Sequence, residues 1–220
     1  MKEPHISMSV VRRLPRYYRF LCELVDSGTA HISSKELADR MGLTASQVRQ
    51  DLNCFGGFGQ QGYGYLTARL RQEIGAILGL DACRPTVLLG AGNIGRGIAN
   101  HMDFPRYGLN LCAVLDRNPA LAGQMLSGLP IRSTDELEII CAEKQVQLAV
   151  LCVPKEAAPP LVSRLLACGV RGFWNFSHYD IAHHHPGAIS ENVHLGDSLM
   201  TLSYQMQNHP DPSSDNPDGQ

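Results

Sequence analysis

The 220-residue sequence predicts an α/β protein, an N-terminal winged helix-turn-helix followed by a Rossmann-like, doubly wound parallel sheet. Three observations predict it. Two short amphipathic helices flank Met41-Gly42-Leu43, a helix-turn-helix arrangement. A run of glycines and aromatics, Phe55-Gly56-Gly57-Phe58-Gly59-Gln60-Gln61-Gly62-Tyr63-Gly64-Tyr65, follows them. Thr86-Val87-Leu88-Leu89-Gly90-Ala91-Gly92-Asn93-Ile94-Gly95 then reads as an apolar strand entering G-x-G-x-x-G, and strands alternate with helices beyond it.

Taken in order, Val11 to Ser27 carries Leu14, Tyr17, Tyr18, Leu21 and Leu24 at helical spacing and stops at Gly28. Ser33 opens a second helix, with Glu36 completing a capping box, and Gly42 ends it. Thr44 caps a third helix from Ala45 to about Asn53, with Gln47 as box partner. Residues 55–65 suit a tight β-hairpin, the wing. Residues 66–79 return to helical spacing. Strands are expected at 86–90, 111–115, 129–131, 147–153 and 172–176. Helices are expected at 94–101, at 135–144 behind a Thr134 cap, and at 157–168. An amphipathic helix at 195–207 carries Leu195, Leu199, Leu202 and Met206. The expected domains are 1–84 (winged helix and linker helix), 85–194 (nucleotide-binding), the helix 195–207, and a disordered Pro/Asp/Ser/Asn-rich tail, 208–220.

Composition narrows the class. Hydrophobic content of 44% suits a packed core, and no apolar run reaches the roughly 18 residues of a membrane span. Lys2, Glu3, Pro4 and His5 lead into no apolar stretch, so no secretory signal is expected. Seven scattered cysteines without C-x-x-C suit a reducing cytoplasm. Residues 1–84 hold 11 Lys and Arg against 8 Asp and Glu, a net +3, while the remainder holds 8 against 13, a net −5. The basic half can approach phosphate and the acidic half repels it.

In the glycine loop, Gly90 serves the tight turn, Gly92 the close approach of a pyrophosphate, and Gly95 the packing of helix on sheet. Free amides at the helix start favour an anion. Asp116 ends the next strand, 21 residues beyond Gly95, where a ribose-binding acid belongs. Its charge opposes a 2′-phosphate, which favours NAD(H), although the adjacent Arg117 can accept one. Val153, Pro154 and Asn175 fall at carboxyl ends of strands and are expected to border the nicotinamide. The candidate cofactor set is Gly90, Ala91, Gly92, Asn93, Ile94, Gly95, Asp116, Arg117, Val153, Pro154 and Asn175.

The sequence resembles the redox-sensing transcriptional repressors of the Rex family. The likeness runs from about residue 10 to residue 206. It is carried by Arg13-Leu14-Pro15-Arg16-Tyr17-Tyr18-Arg19-Phe20-Leu21, by Gln47-Val48-Arg49-Gln50-Asp51-Leu52 and by Phe58 to Tyr65. The Gly90–Gly95 loop, Val153-Pro154, Glu156-Ala157-Ala158, Asn175-Phe176 and Leu202-Ser203-Tyr204 extend it. The resemblance implies a homodimer whose last helix is exchanged between protomers. It also implies a palindromic operator in double-stranded DNA, bound when NADH is scarce and released when NADH rises. The DNA-facing set is then Arg13, Ser46, Gln47, Arg49, Gln50, Gly59, Gln60, Gln61 and Tyr63.

Two departures stand out. The family carries basic residues where Gln50, Gln60 and Gln61 stand, so weaker phosphate attraction and an altered operator are expected. The family couples cofactor to DNA through an Arg, a Tyr and an Asp. Arg19 matches the first, but the Tyr position falls on His101 and the Asp position on His194, with Asp197 one turn away. Two imidazoles bring titration near neutral pH and predict an altered ligand response. The sequence is also compatible with two other functions. One is the same architecture with free NAD⁺ or a CoA-type nucleotide as effector. The other is a small NAD-dependent oxidoreductase, disfavoured because only about 120 residues follow the loop and no acid/base pair is placed for hydride transfer. His183-His184-His185 is expected to be a solvated loop rather than a metal site, because consecutive side chains cannot all face one ion. Trp174 is expected in the core.

Overall fold

Pro15 decides where the first long helix begins. A proline at this position cannot donate to the carbonyl of Val11 and crowds it. The computed structural model, which describes residues 6–59 and 63–208, accordingly has a single turn, α1 (Met8–Val11), and then α2 (Leu14–Asp26). The continuous helix expected from Val11 is thus broken at Arg12-Arg13.

The chain divides into two compact units. One comprises residues up to Cys83 together with Pro105–Gly108, and the other comprises Arg84–Phe104 and everything from Leu109 onward. In the first unit, β1 (His31–Ile32) precedes α3 (Ser34–Met41) and α4 (Ala45–Asn53). The Ser33 hydroxyl accepts from the Glu36 amide at 3.1 Å and Glu36 accepts from the Ser33 amide at 2.8 Å, the expected capping box. At Thr44 only half of the box forms. Thr44 accepts from the Gln47 amide at 3.1 Å, but the Gln47 side chain donates instead to Asp51 Oδ1 at 2.8 Å. β2 (Tyr65–Leu66) pairs antiparallel with β1, and α5 (Thr67–Leu78) follows. The hairpin expected within residues 55–65 turns through residues 60–62, which lie outside the described residues; its last residue, Tyr65, pairs with Ile32 of β1. Gln60 and Gln61 lie outside the described residues.

This unit's core is Leu14, Tyr17, Leu21 and Leu24 of α2 against Leu37 and Met41, Val48 and Leu52, and Leu70 and Ile74. Each such burial contributes roughly 1.5–3 kcal/mol. The neighbours Tyr17 and Tyr18 divide as helix geometry requires, one fully buried and the other half-buried. Among these apolar groups lies a fully buried carboxylate, Asp51. Arg13 donates to it twice, from Nε at 2.6 Å and Nη2 at 2.7 Å, and the Tyr17 hydroxyl donates at 3.0 Å. These three bonds tie the start of α2 to α4, and Gln47 adds a fourth from within α4.

In the second unit, β3 (Arg84–Leu89) leads to α6 (Asn93–His101), β4 (Leu109–Asp116), β5 (Met125–Leu126) and β6 (Leu129–Ser133). Next come α7 (Leu137–Lys144), β7 (Leu148–Leu151), α8 (Ala158–Ala167), β8 (Gly172–Asn175), α9 (Ile181–His184), β9 (Ile189–Asn192) and α10 (Leu195–Asn208). The sheet order is β5-β6-β4-β3-β7-β8-β9, parallel throughout except for β5 on β6. Without β5 this is the Rossmann order, which reverses direction between β3 and β7. Alternate strand residues face opposite layers. Val87, Leu89, Ala113, Leu115, Ala149 and Leu151 pack under α7 and α8, while Leu88, Val114 and Val150 pack under α6. The cap before α7 is Ser133, not Thr134 as expected, with Glu136 as its box partner, because a 3₁₀ turn at Thr134–Glu136 precedes the α-helix. Trp174 is half-buried and meets Phe176 edge-on at 4.8 Å. No described helix is long and apolar enough to cross a membrane. Residues 209–220, most of the tail expected to be disordered, lie outside the described residues.

The Asp51 network carries a pH signature. Burial alone would raise this carboxyl, but hydrogen bonds from Arg13, Gln47 and Tyr17 outweigh burial and hold it below its ordinary 3.8. A lowered folded pKa stabilises above the unfolded value, and that stability is lost as pH falls through the folded one. Urea denaturation of the first unit between about pH 6 and pH 3 should therefore show a loss of stability that Asp51→Asn makes shallower. Equal slopes in both proteins would contradict this.

Candidate functional site

A cleft of about 470 Å³ opens where the sheet order reverses, at the carboxyl ends of β3, β4 and β7. Gly90, Gly92, Asp116, Arg117, Val153 and Pro154 line it, six of the residues expected from sequence. Gly90 has φ +97°, and a Cβ there would run into the carbonyl of Cys152. At Gly95 a Cβ would overlap the carbonyl of Gly90, so α6 lies directly on the turn. Gly92 differs, since a Cβ would meet nothing within 4 Å and would occupy open space beside the helix start. No side chain caps α6 there, and its first amides are left for an anion.

Asp116 holds this loop. Its Oδ2 accepts from the Ala91 amide at 2.6 Å and its Oδ1 from the Asn118 amide at 2.8 Å. Arg96 closes the loop from the other side, donating from Nε to the Ala91 carbonyl at 2.9 Å. Ala91 and Gly95 are buried, whereas Asn93 and Ile94 are exposed on the first turn of α6, outside the cleft lining. Asn175 does not border the cleft. It is buried, Nδ2 donates to the Tyr179 carbonyl at 2.7 Å and to Asn192 at 2.8 Å, and Oδ1 accepts from the Ser177 amide at 3.0 Å and hydroxyl at 2.6 Å. With both donors and both lone pairs committed, it braces the β8–β9 end of the sheet.

The sequence reading missed Thr134, Cys152, Glu156, Ala157, Pro160 and Leu161, which complete the lining. The signal was their position at or just beyond the carboxyl ends of β6 and β7. Burial pushes the Cys152 thiol up to about 12, so it is neutral.

In the first unit, Ser46, Arg49 and Gln50 are exposed on α4 and Gln47 is half-buried. Arg49 donates to the Ser34 hydroxyl at 3.0 Å. A Cβ on Gly59 would touch the Tyr65 ring at 2.9 Å, and Tyr63 is 77% exposed. Arg13 is partly withdrawn by Asp51, a residue the sequence reading did not single out although it lies four places from Gln47 on the same helix face.

Of the residues expected to form a switch, Arg19 is exposed on α2 and His101 is exposed at the end of α6. His194 precedes α10, and its Nδ1 lies 2.7 Å from Nδ1 of His178, the two rings stacked at 4.8 Å. One imidazole must therefore donate and the other accept. Asp197 is exposed in the first turn of α10. The three consecutive histidines are not a loop. His183 and His184 end the single turn α9, capped by the Asp180 carboxylate at 3.1 Å, and His185 meets the Tyr179 hydroxyl at 3.2 Å. Among the described residues no group of three His, Cys, Asp or Glu is placed to hold a metal ion. α10 buries none of its side chains. Leu195, Leu199, Met200, Leu202, Tyr204 and Met206 are each more than half exposed.

Comparison with known proteins places this architecture. The chain is 48% identical to the redox-sensing transcriptional repressor Rex of Clostridium novyi over 203 residues, 92% of this chain and 96% of that protein. The Rex protein of Clostridioides difficile is equally similar, 48% over the same shares. The chain belongs to the Rex family of redox-sensing transcriptional repressors. Residues 5–53 also match the family described as a putative DNA-binding protein N-terminus, and residues 84–179 match the CoA binding domain family. Among solved Rex-family structures, RSP in complex with β-NAD⁺ and operator DNA superposes with a TM-score of 0.86 at 43% identity, covering 93% of this chain and 94% of that one. RSP in complex with β-NADH gives 0.85 at 41%, covering 93% and 96%.

The two inner glycines should respond oppositely to a methyl group. Gly95→Ala forces α6 off the Gly90 carbonyl and should cost about 3 kcal/mol. Gly92→Ala should leave stability within about 0.5 kcal/mol. Thermal denaturation of both variants checks the contrast, and equal losses would contradict it.

Proposed function

We propose that this Rex-family chain is an NAD(H)-responsive repressor, a homodimer that holds a palindromic operator when NADH is scarce and releases it when NADH rises. The observation that carries the reading is the cleft. An open cradle at Gly92, an uncapped helix start and the Asp116 carboxylate meet at the sheet's switch point, in a chain whose relative RSP is solved with β-NAD⁺ and operator DNA. The residues fit a dinucleotide. Gly92 and the first amides of α6 would take the pyrophosphate. Each Asp116 oxygen keeps a second lone pair for a ribose hydroxyl while it holds the loop. The same negative charge disfavours a 2′-phosphate. Val153 and Pro154 would border the nicotinamide, whose loss of positive charge on reduction is the chemistry being sensed. The cleft's one thiol is neutral, and the reading assigns binding without turnover.

The first unit would approach DNA with α4 in the major groove and Arg13, Ser46, Gln47, Arg49, Gln50, Gly59 and Tyr63 on its contacting side, joined by Gln60 and Gln61. This target places the protein's work in the cytoplasm. Glutamines at three positions should flatten the salt dependence and shift the operator away from the family's palindrome. Release is a population shift, and a 100-fold change in occupancy needs about 2.7 kcal/mol of differential binding. We also take α10 to be exchanged between protomers, since among the described residues nothing covers its apolar side chains.

A gel shift on the protein's own promoter region, titrated with NADH, NAD⁺, NADPH and CoA, tests the effector. NADH should release DNA most effectively, and Asp116→Ala should weaken that response about tenfold or more. Release by CoA alone would favour the alternative suggested by the match at residues 84–179. The double change His101→Tyr with His194→Asp should alter NADH affinity or NADH-driven release, and an unchanged response in both would remove these histidines from the switch. Truncation after His194 should yield monomers by light scattering and lower operator affinity by about 100-fold or more, because two half-sites are then no longer engaged together. A truncated dimer would refute the exchange.

A further inference from the structure

We propose that Asp51 is a positioning residue for operator recognition, acting through Arg13 and Gln47. The inference rests on the reading of the first unit as the DNA-binding one. Asp51 is fully buried and takes four hydrogen bonds, two from Arg13 and one each from Tyr17 and Gln47. Arg13 and Gln47 belong to the face expected against DNA, while Asp51 itself is hidden beneath it.

Hydrogen-bond chemistry fixes what each presents. The Arg13 fork spends Nε and one Nη2 proton on the carboxylate. Its Nη1/Nη2 edge remains, a second fork whose geometry matches two phosphate oxygens. Arg13 keeps 28% of its side-chain surface exposed. For Gln47 the amide orientation is forced, because Oε1 turned towards a carboxylate would be repelled. One N–H and Oε1 remain, an ordered donor–acceptor pair near the start of α4. Both side chains would otherwise be flexible, and the buried carboxylate removes that freedom before DNA arrives.

A simple charge argument predicts the opposite outcome. Asp51 is a negative charge near the phosphates, so its removal should tighten every DNA complex. Positioning predicts that the operator complex weakens although the protein becomes more positive. The test measures fluorescence anisotropy of the full-length protein on two duplexes, one selected by the wild-type protein from a random pool and one scrambled duplex of equal length. Asp51→Asn should bind the selected duplex about tenfold more weakly and the scrambled one equally or more tightly. Arg13→Lys keeps the charge but cannot serve the carboxylate and a phosphate with two forks, so its preference for the selected duplex should fall too. It decides the matter if Asp51→Asn does not fold by circular dichroism. Added to an Arg13→Ala, Gln47→Ala background, Asp51→Asn should cause no further loss.

Undiminished binding of the selected duplex by Asp51→Asn, equal loss on both duplexes, or an unchanged preference in Arg13→Lys would each overturn the positioning role. A wild-type protein that prefers no duplex would overturn the DNA-binding reading and this inference with it.

Discussion

The short hydrogen bond from the Ala91 amide to the Asp116 carboxylate is the contact on which the second unit's site depends. It joins the end of β4 to the turn leaving β3, and so fixes the mouth of the cleft. The constraint propagates through atoms too close to move independently. Gly95 sits against the Gly90 carbonyl, and Gly90 against Cys152. The start of α6, the turn and the end of β7 therefore form one rigid corner. Rigidity matters because the ligand's discriminating charge lies at one end only, and a loose corner would bind both redox forms alike.

The first unit solves a similar problem with a similar group. Asp51, like Asp116, is a carboxylate that organises donors from elements distant in sequence. The settings differ. Asp116 is half-buried and its bonds are to backbone, so it keeps capacity for a ligand. Asp51 is buried and its partners are side chains, so its capacity is consumed and its influence passes through them. A buried carboxylate with four donors is stable only while all are present, since an orphaned charge there costs several kcal/mol.

What was legible in the sequence was what local chemistry determines. The Ser33–Glu36 box, the Gly42 stop and the strand–glycine-turn–helix at 86–101 each need only neighbours within a few residues. What escaped depends on distant partners. The β1–β2 pairing is one such case, because nothing in Tyr65-Leu66 names His31-Ile32 as its partner. β9 went unseen because Ile189-Ser190-Glu191-Asn192 is an edge strand with little buried surface and no apolar run. A place at a strand end points Asn175 towards the cleft, but that rule does not tell which strand ends line it. The bonds from Asn175 to Ser177, Tyr179 and Asn192 decided that, and they form only in the folded state. Gln47 shows the same limit in miniature. The box pattern has its side-chain oxygen accept from the Thr44 amide, but the side chain instead turns to donate to the Asp51 carboxylate one turn on.

The exposed apolar row of α10 bears on how small a ligand preference can be and still work. A helix with no buried side chain would gain stability from association, so in the proposed homodimer the two cofactor sites would act on one shared arrangement rather than on two separate ones. Free energies of two identical sites then add on a single equilibrium. A tenfold preference at each site, about 1.4 kcal/mol, suffices for a 100-fold shift of the pair. A monomer would need the whole 100-fold at one nicotinamide. The proposed dimerisation would therefore serve the sensor twice, by presenting two reading helices to a palindrome and by halving the discrimination demanded of each cleft.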